Sequence, residues 1–282
     1  MTAGSRAGPV DVTVVLTGAS AGIGRATATQ LGSLGFELVL VGRSRERHQA
    51  VLAELALAGV RHRLIEADLG DLRAVAAAAK EIERAHPMVK VLINNAGQAG
   101  RRRITSDGFE IAFAVNYLAH FLLTLRLAPI LTAGSGARVV NLSSHTHFSA
   151  RSFEPDRALG RTRSLTGLKE YAHSKAAMVA FTLELAHRWA PALLTAIAVH
   201  PGVVATDIWR LIPRPVRGLV TRSMVTPAEG SETVVRAVRD SELATGTYLT
   251  PDGPQRPGAM ATDPEQRRLL WERSEEWVAR FL

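Results

Sequence analysis

Val10-Asp11-Val12-Thr13-Val14-Val15-Leu16-Thr17-Gly18-Ala19-Ser20-Ala21-Gly22-Ile23-Gly24-Arg25 is the stretch whose reading decides the fold. The β-branched run up to Thr17 predicts a buried strand. Helical spacing of apolar residues over 21–34, closed by Gly35, predicts a helix. Gly18, Gly22 and Gly24 fall between the two. Glycine allows a tight turn and lets the backbone approach a pyrophosphate closely. A helix N-terminus offers free N–H groups and the positive end of its dipole to an anion. Glycine loops also serve as plain turns, but this one has the strand before it and the helix after it that a nucleotide loop requires.

Outward from this unit the pattern repeats. Strands are predicted at 36–41, 63–67, 89–93, 137–142, 195–199 and 247–249. Helices are predicted at 44–58, 71–86, 109–131, 169–189 and 227–238, with a tail helix at 264–281 that packs on the body or, alternatively, forms a dimer contact. Alternation with short links argues for an α/β protein: a doubly wound parallel sheet of about seven strands with helices on both faces. No linker or repeat splits the 282 residues, so a single domain over 1–282 is expected, with a flexible start at 1–9 and a C-terminal helix at 263–282.

Composition narrows the class. Hydrophobic residues make 46% and charged residues 21%, which fits a globular chain rather than a disordered one. The chain has no cysteine, which removes disulfides, thiol nucleophiles and cysteine-bound zinc. No apolar run approaches the roughly 20 residues of a membrane span, and residues 1–10 have no signal-peptide core. A cytoplasmic protein without a membrane anchor is expected. The net charge of +8 is nearly all arginine, scattered as on solvated helix faces. Its one dense run, Arg101-Arg102-Arg103, is short and lacks aromatic neighbours for base stacking, so no nucleic-acid partner is expected.

Tyr171 and Lys175 lie four apart on a predicted helix and share a face. Tyrosine ordinarily titrates near pH 10, and a nearby ammonium favours its phenolate. A tyrosine tuned in this way towards neutral pH can exchange a proton with a substrate oxygen.

The glycine spacing, Thr17-Gly18-x3-Gly22-x-Gly24, resembles that of the short-chain dehydrogenase/reductase family. Further motifs follow in the family's order: Asp68-Leu69, Asn94-Asn95-Ala96-Gly97, Asn116, Ser143-Ser144, Tyr171-x3-Lys175, and Pro201-Gly202 with Thr206. Asp107-Gly108-Phe109-Glu110, the stretch Asn116-Tyr117-Leu118-Ala119-His120-Phe121, and His200-Pro201-Gly202-Val203-Val204 are most similar to its retinol-dehydrogenase-like branch. The resemblance implies a Rossmann-type fold, a dimer or tetramer, and catalytic residues Asn116, Ser144, Tyr171 and Lys175. It implies that Ser144 holds the substrate oxygen, that Lys175 bonds the nicotinamide ribose, and that Asn116 anchors a water linking Lys175 to solvent. Cofactor contacts are expected from Gly18, Ser20, Gly22, Ile23, Gly24, Arg43, Asp68 and Leu69. Asn95, Ala96, Gly97, Tyr171, Lys175, Pro201, Gly202, Val204 and Thr206 complete that set.

The second strand ends Val41-Gly42-Arg43. It has no acid for a ribose 2′-hydroxyl, and a guanidinium that can pair with a 2′-phosphate, which favours NADP(H) over NAD(H). The expected reaction interconverts a carbonyl and an alcohol on a lipophilic small molecule. Substrate contacts are expected from Ser144, His145, Tyr171 and Trp209, the last within a lid at 207–225. His145 and His147 have no acidic or cysteine partner at ligand spacing, so no metal is expected. The alternative is a non-catalytic dinucleotide-sensing protein, which would be expected to lack Tyr171 or Lys175.

Overall fold

The computed structural model describes residues 12–100, 102–189, 194–203 and 225–282. The expectations for 1–9, Val204, Thr206, Trp209 and nearly all of the 207–225 lid fall outside these residues. In chain order the elements begin β1 (Thr13–Thr17), α1 (Gly22–Ser33), β2 (Glu37–Gly42), α2 (Arg45–Leu57), β3 (His62–Glu66), α3 (Leu72–Ala85) and β4 (Val91–Asn94). Next come α4 (Ile111–Leu131), β5 (Ala137–Leu142), α5 (Leu168–Arg188), β6 (Leu194–Val199) and α6 (Pro227–Arg239). The hairpin β7 (Thr247–Thr250) and β8 (Gly253–Gln255) precedes the last helix, α7 (Pro264–Val278).

One eight-stranded sheet runs β3-β2-β1-β4-β5-β6-β7-β8, parallel except for the β7–β8 pair. The sequence reading expected about seven strands. The added one is only three residues long and is folded back by Gly253 at φ 110°. The order reverses between β1 and β4, which places a ligand crevice at their carboxyl ends.

Strand side chains alternate between two cores. Val14, Leu16, Leu38, Leu40, Ile93 and Val140 pack with α1, α2 and α6, whereas Val15, Val39, Val41, Leu92 and Val139 pack with α3, α4, α5 and α7. Both faces are buried, which is why the strands read as continuous apolar runs. Asp71 caps α3 through the Arg73 amide (2.9 Å), and Thr226 caps α6 in a reciprocal box with Glu229. The tail helix lies on the body, with Leu270, Trp271, Val278 and Phe281 buried and the Ser274 hydroxyl 2.8 Å from that of Tyr117.

Helix α4 differs from the reading in two ways. It begins at Ile111 rather than Phe109, because the Glu110 carboxylate accepts from the Ala112 and Phe113 amides (2.8 and 2.9 Å) and fixes its start. It is also long and apolar enough to cross a membrane, contrary to the expectation that no run approaches that length. Here 72% of its apolar window is buried, as the central helix of the domain.

Candidate active site

The glycine loop turns tightly at the crevice. Gly18 has φ 74°, and a Cβ there would lie 2.7 Å from the Ala96 Cα. At Gly24 a Cβ would run into the Gly18 carbonyl oxygen and the Asn95 Nδ2, so this glycine lets α1 close on the loop. Asn95 holds the loop from below, donating from Nδ2 to the carbonyls of Thr17 (2.7 Å) and Gly18 (3.0 Å). The residue before α1, Ala21, has no side chain able to cap the helix, so the first-turn N–H groups have no side-chain acceptor. These features fit a dinucleotide pyrophosphate: a backbone cradle and uncapped N–H donors at a helix start. Ser20 and Ile23 lie in the same loop, both partly exposed.

Arg43 follows β2 and is exposed, with no carboxylate partner among the described residues. The space a Gly42 side chain would take is filled by the His48 ring, so this strand end carries no acid of its own. Glu66, across the sheet from Gly42, accepts from the Arg45 amide at 2.9 Å. Asp68 is exposed after β3 and accepts from the Gly70 amide (2.9 Å), and Leu69 is buried beside it. Gly202, after Pro201, has φ 88°.

Thr17 ties the two sides of the crevice together. Its hydroxyl oxygen accepts from the Asn95 and Ala96 amides, both at 3.0 Å, and lies 2.9 Å from the His120 Nε2. The His120 Nδ1 lies 3.1 Å from the Asn116 carbonyl oxygen, which can only accept, so Nδ1 carries the proton. Burial pushes the ring down to about 3 and keeps it neutral, so Nε2 accepts from the Thr17 hydroxyl. His120 therefore joins the β1 loop to Asn116. Thr17 and His120 both lie within the sequence motifs, which assign neither of them a role.

Asn116 sits in a π-helical turn, Ala114–Leu118, within α4. Such wider turns often mark functional sites, because they displace one residue from the regular ladder. The Asn116 side chain is held on two sides. Its Nδ2 donates to the Gln98 carbonyl (3.0 Å) and to the Ser174 Oγ (2.9 Å), and its Oδ1 accepts from the Gln98 amide (2.8 Å). The side chain is thus spent on bracketing Gly97 and Gln98 against α5. A Cβ on Gly97 would lie 3.4 Å from both the Asn116 Oδ1 and the Lys175 Nζ.

The other three candidate catalytic residues come together. Tyr171 and Lys175 lie on one face of α5, with the Lys175 Nζ 5.7 Å from the Tyr171 ring centroid and donating to the Leu142 carbonyl at 2.8 Å. The Ser144 side chain lies close enough to the Tyr171 hydroxyl to favour its phenolate. The expectation of a tyrosine tuned towards neutral pH does not hold for the protein alone. Burial pushes Tyr171 up to about 12, against the lowering effect of Ser144, and burial pushes Lys175 down to about 8. Both shifts have one cause, since a dry site disfavours phenolate and ammonium alike.

His145 follows Ser144 at the surface, its ring 6.1 Å from that of His200 and 5.0 Å from that of Phe148. His147, buried beneath, was not assigned a site role from sequence. Its Nε2 accepts from the Gly258 amide (3.0 Å), so its Nδ1 donates to the Ser144 carbonyl (2.8 Å). The turn carrying Ser144 is thereby pinned to the segment before α7.

The sequence profile described as short chain dehydrogenase matches residues 12–155. Retinol dehydrogenase 14 of Mus musculus is 34% identical over 94% of this chain and 85% of its own length. Polyprenol dehydrogenase of Mus musculus is 35% identical over 91% of this chain and 81% of its own. The crystal structure of a short chain dehydrogenase from Burkholderia cenocepacia J2315 in complex with NADP superposes with a TM-score of 0.69 at 28% identity, covering 86% of this chain and 96% of that one.

Proposed function

The chain belongs to the short-chain dehydrogenase family, and from that membership and the site's geometry we propose an NADP(H)-dependent enzyme that interconverts a carbonyl and an alcohol on a lipophilic small molecule. The family supplies the coarser part, a nicotinamide-dinucleotide oxidoreductase acting on CH–OH groups. The exposed, unpaired Arg43 beside an acid-free strand end supports the preference for the 2′-phosphate. Relatives named for retinol and polyprenol, both lipophilic alcohols, support the substrate class.

The observation that carries the reading is the convergence of Tyr171, Ser144 and Lys175, with the Lys175 ammonium over the tyrosine ring and Ser144 beside its hydroxyl. When bound, the dinucleotide supplies or accepts the hydride. Tyr171 gives a proton to the substrate oxygen in reduction and takes it back in oxidation. Ser144 donates to that same oxygen and stabilises its developing charge. Lys175 holds the nicotinamide ribose. Burial keeps Tyr171 protonated at neutral pH, so the free protein holds the proton that carbonyl reduction requires.

A screen of carbonyls and alcohols, followed by the absorbance of reduced nicotinamide, tests the proposal. Turnover of lipophilic ketones or aldehydes with NADPH is expected. Tight dinucleotide binding without turnover of any compound would overturn it in favour of the sensing alternative.

The pH profile provides a second check. Lys175 is cationic below about 8 and neutral above it, so reductive kcat/KM should be level through neutral pH and fall as pH rises past that value. Lys175→Arg, which keeps its charge, should move the fall to higher pH. A rate that climbs across this range would contradict the assignment.

A further inference from the structure

The fold brings together two segments lying far apart in sequence, at the carboxyl edge of the sheet. Ile104 bridges to Glu110, Phe109 bridges to Leu159, and the Gly160 amide donates to the Gly108 carbonyl at 2.9 Å. A Cβ on Gly167 would lie 3.2 Å from the Gly100 Cα, so the segment leading into α5 is seated on the segment leaving β4. The joined surface projects aliphatic side chains into water. Leu165 is 86% exposed, Leu168 48%, Ile104 42% and Leu159 41%.

The charges on this surface are sorted by sign. Glu110 is turned inward to cap α4 and to accept from Thr162, and Glu170 is turned inward to accept from the Arg163 and Ser164 amides (3.1 and 2.9 Å). Both acids are buried. Arg102, Arg103, Arg161, Arg163 and Lys169 face outward and are exposed, with no carboxylate partner among the described residues. Of the acids at the margin, Asp107 is paired with Arg280 and Glu154 with Arg157, which leaves Asp156 exposed. Elsewhere Arg25, Arg63 and Arg267 are each paired with a glutamate.

We infer that this surface, formed by residues 102–104 and 159–169, docks the protein on an anionic lipid surface. Unpaired cations around separate exposed aliphatic side chains suit a headgroup layer of negative charge over an acyl interior. A protein partner would call instead for a contiguous, flat apolar centre, usually with aromatic anchors, and this patch has no aromatic side chain among its exposed residues. Leu168 opens the helix that carries Tyr171, one turn further on. A lipid surface docked here lies beside the candidate site, where a lipophilic substrate could pass from one to the other. The inference stands on exposure and charge and does not depend on the chemistry proposed above.

The test is co-sedimentation of the full chain with vesicles of phosphatidylcholine alone and of phosphatidylcholine with phosphatidylglycerol. Binding to the anionic vesicles is expected, weakening as salt rises, with little on neutral ones. Arg161→Glu with Arg163→Glu should weaken that binding about tenfold or more, since each cation near the surface contributes to it. Leu165→Ser with Leu168→Ser should weaken it without removing its salt dependence. Lys80→Glu with Arg84→Glu makes the same charge change on exposed positions of α3 and should leave binding unchanged. All these side chains are exposed, and circular dichroism checks that the variants fold. Failure of the wild type to bind anionic vesicles would overturn the inference. So would patch variants that bind as the wild type does, or that change only the oligomeric state. Because partitioning is read without turnover, an inactive but lipid-bound protein would count against the proposed reaction and not against this surface.

Discussion

Tyr171→Phe is expected to lower turnover by roughly 10²–10⁴-fold, the usual contribution of a positioned proton donor, while dinucleotide affinity stays close to that of the wild type. The phenyl ring keeps the packing of a residue only 7% exposed, and the lost hydroxyl leaves behind only the Ser144 side chain, which lies partly in reach of water. Folding should therefore be preserved, and the loss should fall on kcat, with substrate KM changing less. Ser144→Ala should lose rate as well, and the double variant should lose less than the product of the two single losses, because both side chains serve one oxygen. Steady-state kinetics on a substrate from the screen, with dinucleotide titrations alongside, make the measurement. Near-wild-type turnover in Tyr171→Phe would remove the residue from its assigned role.

Much of this was legible in the chain because it is local. The run up to Thr17, the glycines after it and the apolar spacing of α1 lie within some twenty residues, and each predicts its own geometry. Tyr171 and Lys175 share a helix turn, so their juxtaposition needs only the helical period. The rest depends on contacts that periodicity does not carry. Residues 109–131 read as one apolar helix, and nothing in that pattern marks the π-turn at Asn116, which is held by Gln98 and Ser174 from other elements. The His120–Thr17 bond spans 103 positions. Sequence spacing predicts a Tyr171 shift from neighbouring positive charge, whereas desolvation, which only the closed fold produces, acts first on both groups. In sequence Arg102 and Arg103 stand far from 159–169, and only the fold, through the Phe109–Leu159 bridge and the seating of Gly167 on Gly100, sets the two segments side by side.

Arg43→Asp is expected to reverse the dinucleotide preference. In the wild type the guanidinium is free of ion pairs among the described residues and stands at the end of β2, next to a glycine whose side-chain space His48 occupies. A charged hydrogen bond contributes about 1.5–3 kcal/mol, so losing it should weaken NADPH binding by about tenfold or more. The substitution also sets a carboxylate beside the 2′-phosphate, and like charges at that range oppose binding further. The same carboxylate can accept from the ribose 2′-hydroxyl of NADH, so affinity for NADH should hold or rise. Arg43→Gln separates the two effects: it should weaken NADPH binding without improving that of NADH. Raising the salt concentration should narrow the wild-type preference, because Arg43 is exposed and its attraction is screened. Isothermal titration of each protein with both dinucleotides settles the matter, and equal affinity of the wild type for NADH and NADPH would defeat the assignment of Arg43 at the outset.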